Sequence, residues 1–303
     1  MKERTSSRLD AWLVGKYPNY SRTYFQDLIE KGAVLVNGKG CKKRAFVSEE
    51  DSITVSFISK EAPAFSPEEI PLDILFEDEH LLVVNKPAGM VVHPAPGHLA
   101  GTFAQGLAFH CKTLEINPGD TRPGIVHRLD KDTSGVLLAA KNHCVHAKLT
   151  HLFSTRSVSK RYLAICIGDP KQQLIEGAIG RHPSHRQKMC VRLEGGREAK
   201  SFCRPIAKWG PLSLVQVQPI TGRTHQIRVH MAHIGAPILG DGVYGNPKIN
   251  TQYGAIRQLL HARSLSFTHP ITGTLLECVA PMPADFSTFL QEFGITTSLI
   301  SSF

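Results

Sequence analysis

The sequence predicts an α+β fold class, a central sheet with a few helices, preceded by a small separate α+β module. Three observations predict it. Residues 1–60 hold two short stretches of helical apolar spacing followed by alternating runs around Asn37-Gly38. Residues 61–71 carry three prolines in eleven positions with little apolar content, which reads as a linker. From Leu72 onward, apolar runs of strand length recur between loops and a few helical stretches, the mixture expected of helices packed on a sheet.

Taken in order, Leu9, Trp12 and Leu13 share one helical face, and so do Phe25, Leu28 and Ile29. Ser21 is placed to cap the second helix and Gly32 to end it. Val34 and Val36 alternate into Asn37-Gly38, a strong hairpin-turn signal, and Ile53, Val55 and Phe57 alternate in a further strand. The second domain is expected over residues 72–294, with strands at Leu81–Val84, Val136–Ala140, Tyr162–Ile167, Leu212–Val217 and Leu275–Val279. Residues 295–303 are expected to form a flexible, Ser/Thr-rich tail.

Charge narrows the partner. The 303 residues hold 35 Lys plus Arg against 26 Asp plus Glu, a net charge of +9, so the average surface attracts polyanions and nucleic acid is the first candidate. In residues 1–60 eleven basic side chains face seven acidic ones, and Lys39, Lys42, Lys43 and Arg44 cluster beside the hairpin, within reach of phosphates. No basic amphipathic helix suggests a membrane surface, no apolar run approaches the length of a span, and Met1–Ser7 lacks the apolar core of a secretory signal. A cytoplasmic, monomeric protein without membrane attachment is the expectation. The seven cysteines are scattered with no CxxC pair, which fits reduced thiols rather than a zinc site or a disulfide framework.

Chemistry is expected where a polar, Gly-bounded loop, Pro123-Gly-Ile-Val-His-Arg-Leu-Asp-Lys-Asp-Thr-Ser-Gly135, runs into the apolar strand Val136–Ala140. A second polar segment, Thr221 to Gly235, sets Ile227, Met231 and Ile234 at helical spacing, with Thr224 as its N-cap and Gly235 as its stop. Arg228 then lies in the first turns of a packed helix. A buried guanidinium needs a carboxylate, since removing one partner of such a pair costs about 3–5 kcal/mol, and Asp130 is the natural candidate. Tyr162 opens an apolar strand. It can be core with its hydroxyl satisfied, or a ring that stacks on an extruded base.

The segments Arg8-Leu-Asp10, Ser21-Arg22 and Gly32-Ala-Val-Leu-Val-Asn-Gly38 together resemble the S4 RNA-binding module over about fifty residues. Across residues 72–283 the ordered blocks Val84-Asn-Lys-Pro87, Val91-Val-His-Pro94, Gly124 to Gly135, Lys160-Arg-Tyr162, Arg181-His-Pro183, Thr221 to Ile234, Pro237-Ile-Leu-Gly-Asp241 and Leu260-His-Ala262 closely resemble the RluA-type pseudouridine synthases, in particular their RluD-like branch. The resemblance implies a central mixed, mainly antiparallel sheet and isomerisation of uridine to pseudouridine without metal or organic cofactor. It makes Asp130 the catalytic aspartate, Arg228 its partner, Tyr162 the ring that stacks on uracil and assists loss of its C5 proton, Arg128 a residue that holds RNA where the base has left, and Leu260 a pocket wall. His127, Arg223 and the module's Lys42, Lys43 and Arg44 complete the expected RNA-binding set. The visible departure is Gln105-Gly106, where relatives often have Asn followed by Ala, and it touches only local loop geometry.

The expected substrate is large-subunit (23S) ribosomal RNA or a pre-ribosomal large subunit. Alternatives are a tRNA or other rRNA synthase, or a non-catalytic RNA-binding assembly factor. Asp132 is expected to stabilise the loop by accepting local backbone hydrogen bonds rather than to form a glycosidase-like pair with Asp130. His225, His230 and His233, at offsets of five and three, do not share one helical face and so do not form a metal site. His93, His127 and His261 are expected to fix loops by hydrogen bonding.

Overall fold

A computed structural model of the chain describes residues 7–18, 20–58, 65–95, 97–117, 120–185 and 188–295. Of the expected tail over 295–303, Ile295 is instead buried in the core of the large domain, because it is apolar and packs beside Phe289 and Leu290, while residues 296–303 and the first part of the proline-rich segment, up to residue 64, lie outside the described residues.

The small module follows its sequence pattern. Strand β1 (Ser7–Arg8) leads into α1 (Leu9–Lys16) and α2 (Arg22–Glu30), then β2 (Val34–Val36), β3 (Lys39–Gly40), β4 (Phe46–Val47) and β5 (Ile53–Val55). Ser21 caps α2 by accepting the Tyr24 N–H, and Asn37 and Gly38 both take positive φ, the primed turn that joins β2 to β3. Leu9, Leu13, Phe25, Leu28 and Ile29 bury one face of each helix against Val34 and Val47. Asp10, fully buried, accepts from Arg8 (2.8 and 3.1 Å), from Arg22 (2.9 and 3.0 Å) and from Gln26 (2.6 Å). The Arg22 bonds foremost hold that carboxyl well below its ordinary range, so two arginines are tethered at the module's surface by one charge.

Residues 65–71 are not a free linker. Phe65 and Leu72 pack on the core of the large domain, Glu68 accepts the Gly101 N–H at 2.7 Å, and its own N–H donates to the Gln105 carbonyl. This strap passes over Gly106, where an added Cβ would meet Ile70 Cβ at 3.2 Å. The Gln105-Gly106 departure therefore lies on a helix, not in a loop, and the missing side chain makes room for the strap.

The large domain runs β6 (Ile74–Glu77), β7 (Leu81–Lys86), α3 (Phe103–His110), β8 (Ser134–Ala140), α4 (His143–Ser154), β9 (Ser159–Ile167), β10 (Gln173–Glu176), β11 (Ile179–Arg181), β12 (Met189–Val191), β13 (Lys200–Trp209), β14 (Leu212–Pro219), α5 (Gln226–His233), α6 (Pro247–Gln252), β15 (Leu260–Thr268), β16 (Leu275–Val279) and α7 (Ala284–Glu292). Nine of these strands form one sheet in the order β10-β13-β14-β9-β15-β8-β7-β6, with β16 paired to β15. The β15–β8 pair is parallel and the other pairs are antiparallel, the mixed, mainly antiparallel sheet that was expected.

Both faces of the sheet are covered, which explains the unbroken apolar runs. Along β7 and β8, Leu81, Val83, Val136 and Leu138 point into a core shared with α4, while Leu82, Val84, Leu137 and Ala139 point into one shared with α3. In the other half, Leu163, Ile165, Leu212 and Leu214 pack against α7, and Ala164, Cys166, Val215 and Val217 against α5. Where β8 meets β15 the backbones approach so closely that a Cβ on Gly135, whose φ is +112°, would lie 2.2 Å from the Ala262 carbonyl oxygen. Glycine there lets the loop before β8 reach the middle of the sheet.

Candidate active site

The loop before β8, the start of β9, the start of β15 and helix α5 after β14 converge on one cavity of about 480 Å³. Its wall includes Asp130, Tyr162, Arg228, Arg128, Arg223 and Leu260, with His127 beneath. Three of these seven residues come from the loop before β8, two from the segment of α5 and its approach, and one each from β9 and β15, segments remote from one another in sequence. The expected Lys42, Lys43 and Arg44 lie on the small module and do not line it. Lys42 and Arg44 are exposed, and Lys43 is ion-paired to Glu30.

Asp130 is placed by its neighbours' backbone. Leu129 is buried in the α3 core, and the Thr133 N–H closes a turn onto the Asp130 carbonyl at 3.1 Å. Lys86, at the end of β7 and fully buried, donates to the carbonyls of Pro87 (2.8 Å), Met90 (2.9 Å) and Lys131 (2.9 Å). Burial pulls the Lys86 pKa down to about 7, opposed by the charges of Asp132 and Asp130. Three carbonyl acceptors match the three N–H donors of an ammonium, so the geometry favours the charged form. Arg257 Nη1 donates to the Asp132 carbonyl at 3.0 Å while its Nη2 reaches Asp285 on α7 at 2.7 Å, and Gln258 sits beside Thr133. Asp132 therefore stabilises the loop differently from expectation: its backbone carbonyl accepts, and its carboxylate supplies counter-charge to Lys86.

Arg228 is paired with two carboxylates at once. Its Nη1 donates to Asp130 Oδ2 at 3.0 Å, its Nε to Asp241 Oδ2 at 2.7 Å and its Nη2 to Asp241 Oδ1 at 2.9 Å. The fork on Asp241 leaves Arg228 rigid before it touches Asp130. Burial disfavours charge on both residues, yet the mutual bonds prevail: Arg228 is pushed above its ordinary value and Asp241 below its own. Asp241 also accepts the Val243 and Tyr244 N–H groups, and the Tyr244 ring lies 5.1 Å from the guanidinium. Sequence reading placed Asp241 inside a motif but gave it no role. Its separation of 13 residues from Arg228 in sequence carries no contact signal, although a lone Asp after an apolar Pro-Ile-Leu-Gly run could have raised the question.

Helix α5 begins otherwise than expected. Thr224 is exposed, and the N-cap position belongs to His225 in a left-handed conformation with φ 55° and ψ 19°. No side chain caps the helix; the Gln226 side chain instead braces the turn before it by accepting from the Arg223 N–H (2.9 Å) and the Thr221 hydroxyl (2.7 Å). His230 bonds Ser201 and Gly177 while His225 bonds Tyr244, so the three histidines do not converge as metal ligands.

Tyr162 is half-buried on the cavity wall, and burial, assisted by the Asp130 charge, pushes its hydroxyl well above the ordinary phenol range. Among the lining residues Asp130 is the single acid, facing Arg128, Arg156, Lys160, Arg223 and Arg228. Such a wall suits a polyanionic ligand with one carboxylate kept for chemistry.

His261 is tied into the fold by its ring, and so is His127, which was also expected among the RNA-binding residues: its Nε2 is taken up by the backbone of β8. His127 Nε2 accepts the Leu138 N–H at 2.9 Å and its ring stacks on Phe153, while His261 Nδ1 bonds the Ser134 hydroxyl at 3.0 Å. Burial lowers their pKa values to about 3 and about 4. The unfolded chain, with histidines near pKa 6.5, therefore binds protons first, and the neutral rings' contribution is lost as pH falls below that value. Urea melts should show stability flat above pH 7 and falling between pH 6 and 4.5 by roughly 1–3 kcal/mol per pH unit. A flat profile over that range would contradict the assignment of both rings as neutral.

A family model described as RNA pseudouridylate synthase matches residues 80–233, and one described as the S4 domain matches residues 7–53. A Bacillus subtilis protein named as an uncharacterised RNA pseudouridine synthase is 41% identical, covering 96% of this chain and 95% of its own length. The ribosomal large subunit pseudouridine synthase D of Zymomonas mobilis is 42% identical over 97% of this chain and 96% of its own, and its namesake in Pseudomonas aeruginosa is 39% identical over 94% and 91%. Among solved structures, human RNA pseudouridylate synthase domain containing 4 superposes with a TM-score of 0.59 at 29% identity, covering 73% of this chain and 93% of that one.

Proposed function

The chain belongs to the RNA pseudouridylate synthase family and is an isomerase acting on RNA, and from that premise we propose that it converts uridine to pseudouridine in large-subunit ribosomal RNA with Asp130 as the catalytic carboxylate. The observation that carries the role of Asp130 is its position as the lone acid on a cationic cavity wall, oriented by an arginine that Asp241 has already fixed. The substrate reading is supported by near full-length similarity to relatives named for the ribosomal large subunit, S4 module included.

The reaction breaks the bond between N1 of uracil and C1′ of ribose, turns the base, and joins C5 to C1′. The C5 proton is lost and N1 gains one, so atoms balance within the nucleotide. A carboxylate beside C1′ assists departure of the base, and a rigid Arg228 lets it do so without reorganisation. Reaching these atoms in a stem requires extrusion of the nucleotide at a cost of a few kcal/mol, offset here by stacking on Tyr162 and apolar contact with Leu260. A Tyr162 hydroxyl pushed up by burial stays protonated at neutral pH, which favours stacking as its main contribution. Arg128, exposed at the rim, and Arg223 are suited to phosphate contacts. No helix among the described residues is long and apolar enough to cross a membrane.

RNA from a strain lacking this gene, treated with carbodiimide and mapped by primer extension, should lose one or more pseudouridines of the large-subunit rRNA, and the wild-type gene should restore them. Persistence of all of them, with no other synthase covering the sites, would defeat the substrate assignment, and loss confined to tRNA would move it there. The small module has its own test. Lys42→Gln with Arg44→Gln should weaken RNA binding and lower the slope of log affinity against log salt by about two, one unit per lost phosphate contact. An unchanged slope would mean that those side chains are merely solvated.

A further inference from the structure

His225 combines three features that have no part in holding Asp130. It is a non-glycine residue in left-handed backbone, a conformation that a Cβ disfavours and that glycine would adopt without strain. It lies on the cavity wall three residues before Arg228. Its Nδ1 is 2.8 Å from the Tyr244 hydroxyl, which also accepts the Met189 N–H at 2.8 Å. Holding an imidazole in an unfavourable backbone conformation at the mouth of α5 calls for a reason in the side chain.

The hydrogen bonds around Tyr244 supply one. With the Met189 N–H donating into the phenol oxygen, the phenol proton has one neighbour to which it can go, His225 Nδ1. The reverse polarity would leave that proton without an acceptor among the described residues. Nδ1 is then the acceptor and the ring proton sits on Nε2, which has no hydrogen-bond partner among the described residues and is the remaining polar atom of an imidazole whose residue lines the cavity. Burial lowers the His225 pKa against the pull of the Asp130 charge, so the ring is a neutral donor and does not compete with Arg228 for Asp130. Tyr244 is itself fixed from two sides, by the Asp241 carboxylate that accepts its N–H and by the Arg228 guanidinium over its ring.

We propose that His225 is a substrate-binding residue whose Nε2–H donates to a carbonyl oxygen of the extruded pyrimidine, and that Tyr244 is the positioning residue that fixes this tautomer. The proposal rests on the pseudouridine synthase reading for its ligand, but not for its proton assignment. Asp241, through Arg228 and Tyr244, then orients both the reacting carboxylate and the base-reading donor. The β11–β12 hairpin joins the same unit through the Met189 N–H.

Two measurements test it. In a long-range proton–nitrogen correlation spectrum of the RNA-free protein, the ring signals that vanish in His225→Gln should show a protonated Nε2 and a bare Nδ1, and Tyr244→Phe should convert them to a tautomer mixture. A protonated Nδ1 in the wild type, or an unchanged pattern in Tyr244→Phe, overturns the proton assignment. In single turnover on transcribed large-subunit rRNA, Tyr244→Phe should slow conversion about tenfold with RNA affinity kept within about twofold, the effect of one misdirected hydrogen bond. His225→Gln, which keeps a donor, should remain faster than His225→Ala. A wild-type rate in Tyr244→Phe, or equal rates in the two His225 variants, overturns the base contact. Failure of the wild type to convert the RNA overturns the functional reading and the base contact with it, while the spectrum still decides the tautomer.

Discussion

Asp130→Asn should remove pseudouridine formation almost completely, by about 10⁴-fold or more in single turnover, the range seen when a residue that acts directly on the reacting atoms is neutralised. The variant tests chemistry more than folding. Asparagine keeps an oxygen that can accept from Arg228 Nη1, now 3.0 Å from Asp130 Oδ2, and Arg228 retains both bonds to Asp241. Stability should therefore change by only about 1 kcal/mol, the worth of weakening one partly exposed hydrogen bond. Tritium release from RNA labelled at uridine C5 reads the loss of that proton, and a urea melt reads the fold. Residual activity above about one per cent of wild type would remove Asp130 from the reacting position, since orientation or binding alone accounts for smaller losses.

How far that site could be seen in the sequence depended on which physical signal each part carried. Helical spacing at Leu9, Trp12 and Leu13 and at Phe25, Leu28 and Ile29 gave α1 and α2, because these helices bury one face only. The Val136–Ala140 run gave β8, because a strand covered on both faces is apolar throughout. Strand β15 escaped notice although it lies at the centre of the sheet. Its sequence, Leu260-His-Ala-Arg-Ser-Leu-Ser-Phe-Thr268, looks polar, yet His261 is buried against Ser134 and Ser264 is buried in the strand. Local spacing cannot reveal a polar group satisfied by a residue more than a hundred positions away. Lys86 hid for the same reason: a lysine after an apolar run reads as the exposed end of a strand, whereas three carbonyls from two loops take up its ammonium. The Asp130–Arg228 pair was foreseen because a packed guanidinium demands a carboxylate. The same demand, pressed further, would have asked for a second one, since Asp130 meets only one nitrogen of an arginine buried as deeply as Arg228.

That second carboxylate leads to the largest expected effect on stability. Arg228→Ala leaves Asp241 fully buried with no cation and Asp130 with no guide, so it should cost about 3–5 kcal/mol. At roughly 2–4 °C per kcal/mol for a domain of this size, melting should fall by about 10 °C. Asp241→Ala should cost a similar amount, because it strands the arginine, whereas Asp130→Ala should cost roughly 1 kcal/mol, its carboxylate being partly open to water. The two aspartates thus separate by burial: both variants lose turnover, but only the loss of Asp241 loosens the fold. pH should separate them again. Asp241 is held below its unfolded value, so its contribution is present above about pH 4 and disappears as pH falls through its folded pKa, and Arg228→Ala should flatten that acid limb. If Asp241→Ala melted with the wild type, the fork on Arg228 would be incidental, and Asp130 would have to be oriented by its own loop through Lys86 and Arg257.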